Sequence, residues 1–202
     1  MRDLDSIVLA SASPRRFELL RSLGLHVHVV PSGVVEGARA ELDSAALAAY
    51  YASQKAAAVA ADEPAAVIVA ADTVVDVDGA ALGKPRDADE AATMLRLLGG
   101  REHVVYTAYC VLDTTSGRRI AATSATGVRF VTLDAPTIAA YVATGEPFDK
   151  AGAYGIQGRG AALVERIEGD FHTVMGFPLG DFVRRLPKLG LRLPATNRAV
   201  PA

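Results

Sequence analysis

The most apolar run of the chain, AAVIVAADTVV at positions 65–75, constrains the fold more than any other feature. Its apolar residues are nearly continuous rather than alternating, and its Val and Ile side chains favour extended backbone. Such a run is typical of a strand that is buried on both faces, which requires other elements to pack on each side of it. We therefore predict a central strand over residues 65–75 of an α/β protein.

The rest of the chain alternates short apolar strand patterns with capped helical patterns, without a sharp linker or an internal repeat. This alternation favours a mixed α/β fold with two lobes that share a cleft. We predict one domain over residues 1–190 and a loose tail over 191–202. The other predicted strands span 7–10, 25–30, 104–113, 118–131 and 161–167, and the predicted helices span 14–23, 44–61, 87–98, 136–143 and 179–186.

Composition excludes several classes of protein. The 202 residues carry a net charge of −2, which gives no basic excess for a nucleic-acid polymer but leaves room for a local anion pocket. Cys110 is the single cysteine, so neither an intrachain disulfide nor a multi-cysteine zinc site can form, and its strand-like setting predicts an inert buried thiol. No apolar run reaches the roughly 18 residues of a membrane span, and the N-terminus lacks the organisation of a signal peptide. We expect a cytoplasmic protein.

Asp72 lies in the central apolar run, where an unpaired carboxylate would be costly. One interpretation is that the strand has ended and Asp72 caps a turn. The other is that it faces a ligand cleft, because α/β proteins bind ligands at the carboxyl ends of strands. The local pattern favours the cleft but leaves both open.

Basic residues occur at two turns. SASPRR at 11–16 ends the first predicted strand, starts a helix at Pro14 and places Arg15 and Arg16 in its first turn. Gly83-Lys84-Pro85 does not fit the phosphate-loop motif, because its glycine spacing is wrong and proline follows the lysine. Lys84 is therefore either a cation on a tight turn or a solvated surface lysine.

The segment GEPFDKAGAYGIQGRG at 145–160 is rich in glycine. Glycines permit positive φ or a close approach of the backbone to a ligand, and the Gln157 amide could recognise a nucleobase edge. A long surface loop explains the same composition equally well.

Further segments along the chain complete a series that runs in order: LASASPRR at 9–16, Glu36, SQKA around Lys55, AADTVV at 70–75, LGKP at 82–85, TGEPFDKAGAYGIQGRGA at 144–161 and FHTVMGFPL at 171–179. In this order the segments resemble the Maf family of nucleoside triphosphate pyrophosphatases. The resemblance implies a mixed α/β fold similar to inosine triphosphatases, with an elongated central sheet flanked by helices and two lobes around a nucleotide-binding cleft. It also implies a divalent metal, Mg²⁺ or Mn²⁺, and a homodimer.

The resemblance also implies a role for individual residues. Asp72 would activate the water that attacks the α-phosphorus, and Glu36 would hold the metal together with Asp72. Ser11, Arg16, Lys55 and Lys84 would bind the substrate. Arg15, Thr73 and Gln157 would set specificity, and their identities are similar to those of the subgroup that hydrolyses dTTP and UTP.

Two alternatives stay open at this point. One is a pyrophosphatase for purine or modified purine triphosphates, and the other is a nucleotide-binding regulator of septum formation with little turnover. Val35 and Gln54 stand where acidic residues are common in similar proteins, which bears on metal affinity.

Overall fold

The computed structural model describes residues 1–37, 39 and 41–194. Within them the helices are α1 (Pro14–Arg21), α2 (Ser44–Ala60), α3 (Ala88–Leu98), α4 (Ala135–Val142), α5 (Phe171–Met175) and α6 (Leu179–Arg185). The strands are β1 (Arg2–Asp3), β2 (Ser6–Leu9), β3 (His26–Val29), β4 (Val67–Val77), β5 (Ala80–Leu82), β6 (Glu102–Asp113), β7 (Arg118–Phe130), β8 (Val164–Glu168) and β9 (Leu191–Arg192). Short 3-10 helices span Glu146–Asp149, Ala151–Ala153, Gly158–Leu163 and Leu186–Leu189.

A seven-stranded mixed sheet forms the centre of the protein, where the family resemblance implies a central sheet flanked by helices. Its strand order is β3-β2-β4-β6-β7-β8. The seventh strand, β5, pairs with the last residues of β4, past the part of β4 that pairs with β2. β2 is parallel to both β3 and β4, whereas the pairs β4–β5, β4–β6, β6–β7 and β7–β8 are antiparallel. The mixed α/β fold is thereby confirmed.

The two faces of β4 bury different partners, because successive side chains of a strand point to opposite faces. Ile68, Ala70 and Val74 pack with the small residues of α2. On the other face, Val69 and Ala71 belong to one apolar cluster with α6, while Val75 and Val77 belong to a second cluster with α3 and α4.

The structure corrects the predicted end of the central strand. β4 continues to Val77, because Val74, Val75 and Val77 stay buried and pair with β6 and β5. The turn is the dipeptide Asp78-Gly79, both at positive φ, and it connects β4 to β5 in a hairpin. Asp72 therefore lies within the strand, and the interpretation of Asp72 as a turn cap is wrong.

The predicted tail begins too early. Leu191 is buried and pairs with Arg2, because β9 runs parallel to β1. Residues 195–202 lie outside the described residues. Cys110 is buried beside α2, as predicted, and burial raises the pKa of its thiol. No described helix has the length and apolar composition that a membrane crossing needs.

Candidate active site

A cleft opens where the sheet forks beside β4. β2 pairs with β4 only as far as Leu9 and Val69, and β5 pairs with it from Val75 onward. Asp72 and Thr73 lie between these two contacts, and both line the cleft. The cleft encloses about 830 Å³ including its open mouth, which suits a ligand of nucleotide size.

An ion cluster occupies the α2 side of this cleft. The Lys55 Nζ lies 2.6 Å from Asp72 Oδ1 and 2.5 Å from Glu36 Oε1. Lys55 and Asp72 are each only 6% exposed, whereas Glu36 is open to solvent. Lys55 reaches the cluster because Ala48, Ala52 and Val59 bring the same face of α2 close to the sheet.

The two carboxyl groups differ in their proton affinity. Burial raises the pKa of Asp72, and the nearby Lys55 and Arg16 cations offset only part of that effect. Burial also acts on Glu36, but its hydrogen bond with Lys55 and the charges of Lys55, Lys84 and Arg16 outweigh it and lower the pKa. Asp72 is therefore the stronger base of the pair, and Glu36 stays ionised more readily.

Arg16 lies on the other side of β4, where three segments hold its guanidinium. Its Nε donates to the Gly176 carbonyl at 2.9 Å, Nη1 to Ser11 Oγ at 3.2 Å and Nη2 to Thr73 Oγ1 at 3.0 Å. Five N–H groups are available, so two remain for a ligand. Ser13 caps α1 just beside Arg16, which adds the partial positive charge of a helix N-terminus.

Lys84 and Gln157 line the cleft from its rim, and both are exposed. Lys84 follows the β4–β5 hairpin, and the Gly83 carbonyl beside it accepts a hydrogen bond from Gly152 N at 3.0 Å. This bond ties the lysine turn to the glycine-rich segment, and so brings two segments together that are distant in sequence.

Arg15 meets an acidic partner that the sequence did not indicate. Its Nη1 donates to Asp149 Oδ2 at 3.0 Å, across 134 positions of the chain. Lys150 Nζ donates to Asp149 Oδ1 at 2.6 Å and to the Glu146 carbonyl at 2.6 Å. Asp149 and Lys150 also line the cleft, so Arg15 is engaged by the protein before any anion binds.

Glu146 is a further residue that sequence reasoning missed, and it folds the Gln157 segment. Its carboxylate accepts hydrogen bonds from Arg159 N at 3.0 Å and Gly160 N at 3.2 Å. The Tyr141 hydroxyl accepts from Gly155 N at 3.2 Å, and a Cβ at Gly160 would collide with the Gly155 carbonyl. The glycine content was the signal for this tight turn, but no sequence pattern assigned Glu146 the role of holding it.

His103 is buried behind the cleft and contacts one of the residues that line it. Its Nε2 lies 2.7 Å from the hydroxyl of Tyr154, a cleft residue that precedes the Gln157 turn. His103 is 2% exposed, and burial lowers its pKa to about 4. The imidazole is therefore neutral at physiological pH.

All nine predicted site residues meet in or beside this cleft. Arg15, Arg16, Glu36, Asp72, Thr73, Lys84 and Gln157 line it. Lys55 contacts Asp72 and Glu36, and Ser11 contacts Arg16. The cations can bind a polyanion, and the buried carboxylate can accept a proton from water. The fold and the cleft define an α/β protein in which basic side chains surround a buried carboxylate at the edge of the central strand.

Comparison with known proteins identifies the family. Residues 6–189 match the sequence model of a family described as "Maf-like protein", so the chain belongs to the Maf family and the predicted membership is confirmed.

Several relatives carry the name dTTP/UTP pyrophosphatase. One from Pelotomaculum thermopropionicum is 46% identical over 187 residues, which cover 93% of this chain and 98% of the relative. One from Thermococcus gammatolerans is 45% identical with the same coverage. One from Moorella thermoacetica is 49% identical over 176 residues, which cover 87% of this chain and 91% of the relative.

Proposed function

We propose that this protein hydrolyses dTTP and UTP to the nucleoside monophosphate and pyrophosphate. The observation that carries the proposal is the meeting of Asp72, Lys55 and Glu36 with Arg16 and Lys84 in one cleft. A base opposite a cluster of cations is what hydrolysis of a phosphoanhydride requires. The names of the relatives support the pyrimidine substrates.

Asp72 is the proposed general base. It accepts a proton from water, whose oxygen attacks the α-phosphorus in line with the bridging oxygen to the β-phosphorus. That bond breaks and pyrophosphate leaves. Burial raises the pKa of Asp72, which strengthens it as a base, while the Lys55 ammonium orients one carboxylate oxygen and leaves Oδ2 outside the ion pair.

Arg16 and Lys84 neutralise the polyphosphate. The two free N–H groups of Arg16 and the helix N-terminus behind it suit phosphate oxygens, and their effect grows as charge moves onto the leaving pyrophosphate. Ser11 keeps the guanidinium in place. Arg15, Thr73 and Gln157 are proposed to select the base, since Gln157 offers both a donor and an acceptor.

The carboxylates fit a divalent cation of the Mg²⁺ type. The described residues contain no group of three or more His, Cys, Asp or Glu side chains that could hold a metal. Mg²⁺ however commonly uses one or two carboxylates together with substrate phosphates and water, and Glu36 and Asp72 are oxygen donors in the same cleft. When bound there, the cation would neutralise phosphate charge and acidify water. The homodimer and the cytoplasmic location implied by the resemblance stay predictions.

A substrate panel tests the proposal. Pyrophosphate and monophosphate release is measured for dTTP, UTP, CTP, GTP and ITP with Mg²⁺ or Mn²⁺, in ¹⁸O-labelled water. We expect turnover of dTTP and UTP with the label in the monophosphate, because water attacks the α-phosphorus. Asp72→Asn should lower kcat by about 10³-fold, within the range of general-base catalysis.

Asp76→Asn is the matched control. Asp76 lies on the same strand and the same face as Asp72, but it contacts Ser44 and Gly79 N and does not line the cleft. Wild-type rates are expected for this variant. Turnover confined to purines would refute the proposed specificity, and nucleotide binding without any turnover would favour a regulator.

A further inference from the structure

A row of hydroxyl groups crosses the sheet beneath the cleft. Thr73 of β4 is directly opposite Thr107 of β6, which is directly opposite Ser124 of β7. Thr107 and Thr173 of α5 are fully buried. The Thr73 and Thr107 oxygens are 2.9 Å apart, and Thr107 Oγ1 lies 2.7 Å from the Thr173 carbonyl oxygen.

The partners of this row fix the direction of its hydrogen bonds. The Thr173 carbonyl can only accept, so the single hydroxyl proton of Thr107 must lie between the two oxygens. Thr107 then has no proton for Thr73 and must accept one from it. Thr73 in turn accepts from Arg16 Nη2, since a guanidinium has no acceptor atom. The chain runs from Arg16 through Thr73 and Thr107 to the Thr173 carbonyl.

This direction has a consequence for the cleft. Thr73 lines it, and its proton is committed to Thr107 on the buried side. One lone pair of its oxygen faces Arg16, and the other is left for a ligand. A ligand atom that meets Thr73 must therefore be a donor.

Packing alone does not require a hydroxyl at position 107. Its neighbours on the same face of β6 are Val105 and Tyr109, and those of Thr73 on β4 are Ala71 and Val75, all of them buried in apolar clusters. Valine has nearly the same shape as threonine and would fill this place in the sheet. The hydroxyl thus points to a polar function.

We propose that Thr107 is a positioning residue that makes Thr73 an obligatory acceptor toward the base of the substrate. This inference rests on the proposed function. The imide N–H of uracil or thymine is a donor that such an oxygen can bind, whereas the unprotonated ring nitrogen of cytosine at that place is an acceptor and is rejected. Thr107 acts only through Thr73 and touches no substrate.

Thr107→Val tests the proposal through the selectivity ratio, which is kcat/KM for UTP divided by kcat/KM for CTP. Without Thr107 as acceptor, the Thr73 proton can turn into the cleft. We expect the ratio to fall roughly tenfold, the effect of one hydrogen bond gained or lost, with most of the change in KM for UTP. Thr107→Ser keeps the hydroxyl, so this variant should have the selectivity ratio of the wild-type protein.

Ser124→Ala is the matched control. It removes another hydroxyl of the row, one that interacts with Thr173 Oγ1 at 2.9 Å but not with Thr73, and it should leave the ratio unchanged. In a Thr73→Val background, Thr107→Val should lower the ratio no further. If Thr107→Val does not fold, Thr107→Cys carries the test, because a thiol is a weak acceptor and should lower the ratio severalfold.

Different results would refute the proposed function and the role of Thr107. Absence of UTP and dTTP turnover by the wild-type protein would refute the proposed function and this inference with it. Normal turnover with an unchanged ratio in Thr107→Val or Thr107→Cys would refute the role of Thr107 alone. If Ser124→Ala lowered the selectivity ratio as much as Thr107→Val does, the row of hydroxyl groups would have only a structural role.

Discussion

The two faces of β4 bury different kinds of polar group with different kinds of partner. Asp72 points toward α2 and is balanced by a charge, the Lys55 ammonium at 2.6 Å. Thr73, the next residue, points to the opposite face and is balanced by a directed chain of neutral hydroxyls. An ion pair tolerates small displacements, since Coulomb attraction varies slowly with distance, whereas a hydroxyl chain fixes which atom carries each proton.

This difference matches the tasks that we propose for the faces. A general base needs a suitable proton affinity, which burial and a nearby cation adjust. Recognition of a base needs a fixed pattern of donors and acceptors, which charges alone do not supply. Arg16 joins the two, because it donates to Thr73 and its charge also acts on Asp72.

The largest effect is expected from removal of Lys55, which pairs with Asp72 and Glu36 on the α2 side of β4. Lys55→Met leaves the Asp72 and Glu36 carboxylates without the cation between them, so the pKa of Asp72 rises further. A base works only when it is deprotonated, so the acidic limb of the kcat/KM profile should move to higher pH. At pH 7 we expect kcat/KM for UTP to fall by about 10²-fold or more.

The measurement is kcat/KM for UTP as a function of pH, with thermal melts to check that each variant is folded. Lys188→Met removes an exposed lysine near the chain's end and should leave the profile unchanged. An unshifted acidic limb in Lys55→Met would show that Lys55 does not adjust Asp72.

His103 extends the comparison to the side of the sheet that Thr73 faces, because it is buried there with a neutral partner, the Tyr154 hydroxyl. Its pKa is lowered to about 4 in the folded protein, against about 6.5 when unfolded. Above pH 6.5 both states are neutral. Between pH 6.5 and about 4 only the unfolded chain takes up the proton, so stability should fall as the pH falls, by about 3 kcal/mol in total.

Urea unfolding at a series of pH values from 7 to 4 measures this loss. His103→Gln retains a hydrogen-bonding group for Tyr154 and should show a flatter decline than the wild type. His26→Gln removes an exposed histidine of β3 and serves as the control. Parallel curves for His103→Gln and the wild type would contradict burial of a neutral imidazole.

Much of the fold was predictable, because the signals for its strands and helices are local. Ser44–Ala60 has a capping aspartate and a run of alanines, and β6 and β7 flank an evident turn. The β1–β9 pair has no such signal, since each strand has two residues and its partner is at the other end of the chain. The β4–β5 hairpin was not predicted although Asp78-Gly79 is a hairpin signal, because β5 has only three residues and no strand pattern of its own.

In the site, too, contacts between residues that are distant in the sequence were not predicted. Asp72, Lys55, Glu36 and Arg16 were predicted because the family resemblance includes the segments that carry them. The role of Asp149, which also lies in a matching segment, and the role of Thr107 were not predicted, because both depend on partners that only folding brings near. Asp149 meets Arg15 across 134 positions, and Thr107 meets Thr173 across 66.

The smallest effect is expected from Glu146, which shapes the rim rather than either face of β4. Its two carboxylate oxygens accept from Arg159 N and Gly160 N. Glu146→Gln keeps one acceptor but turns an amide N–H toward the other backbone N–H, so the Gln157 turn should loosen. We expect KM for UTP to rise severalfold with kcat little changed, since roughly one backbone hydrogen bond is lost.

Steady-state kinetics with UTP and dTTP check this expectation, with Glu165→Gln as the control. Glu165 pairs with Arg129 on the surface and lies outside the cleft, so its variant should keep the wild-type KM. A fall in kcat at constant KM in Glu146→Gln would place the Gln157 turn in the chemical step. The severalfold rise in KM alone would instead assign the turn to ground-state recognition of the base, apart from the ion cluster on the α2 side of β4.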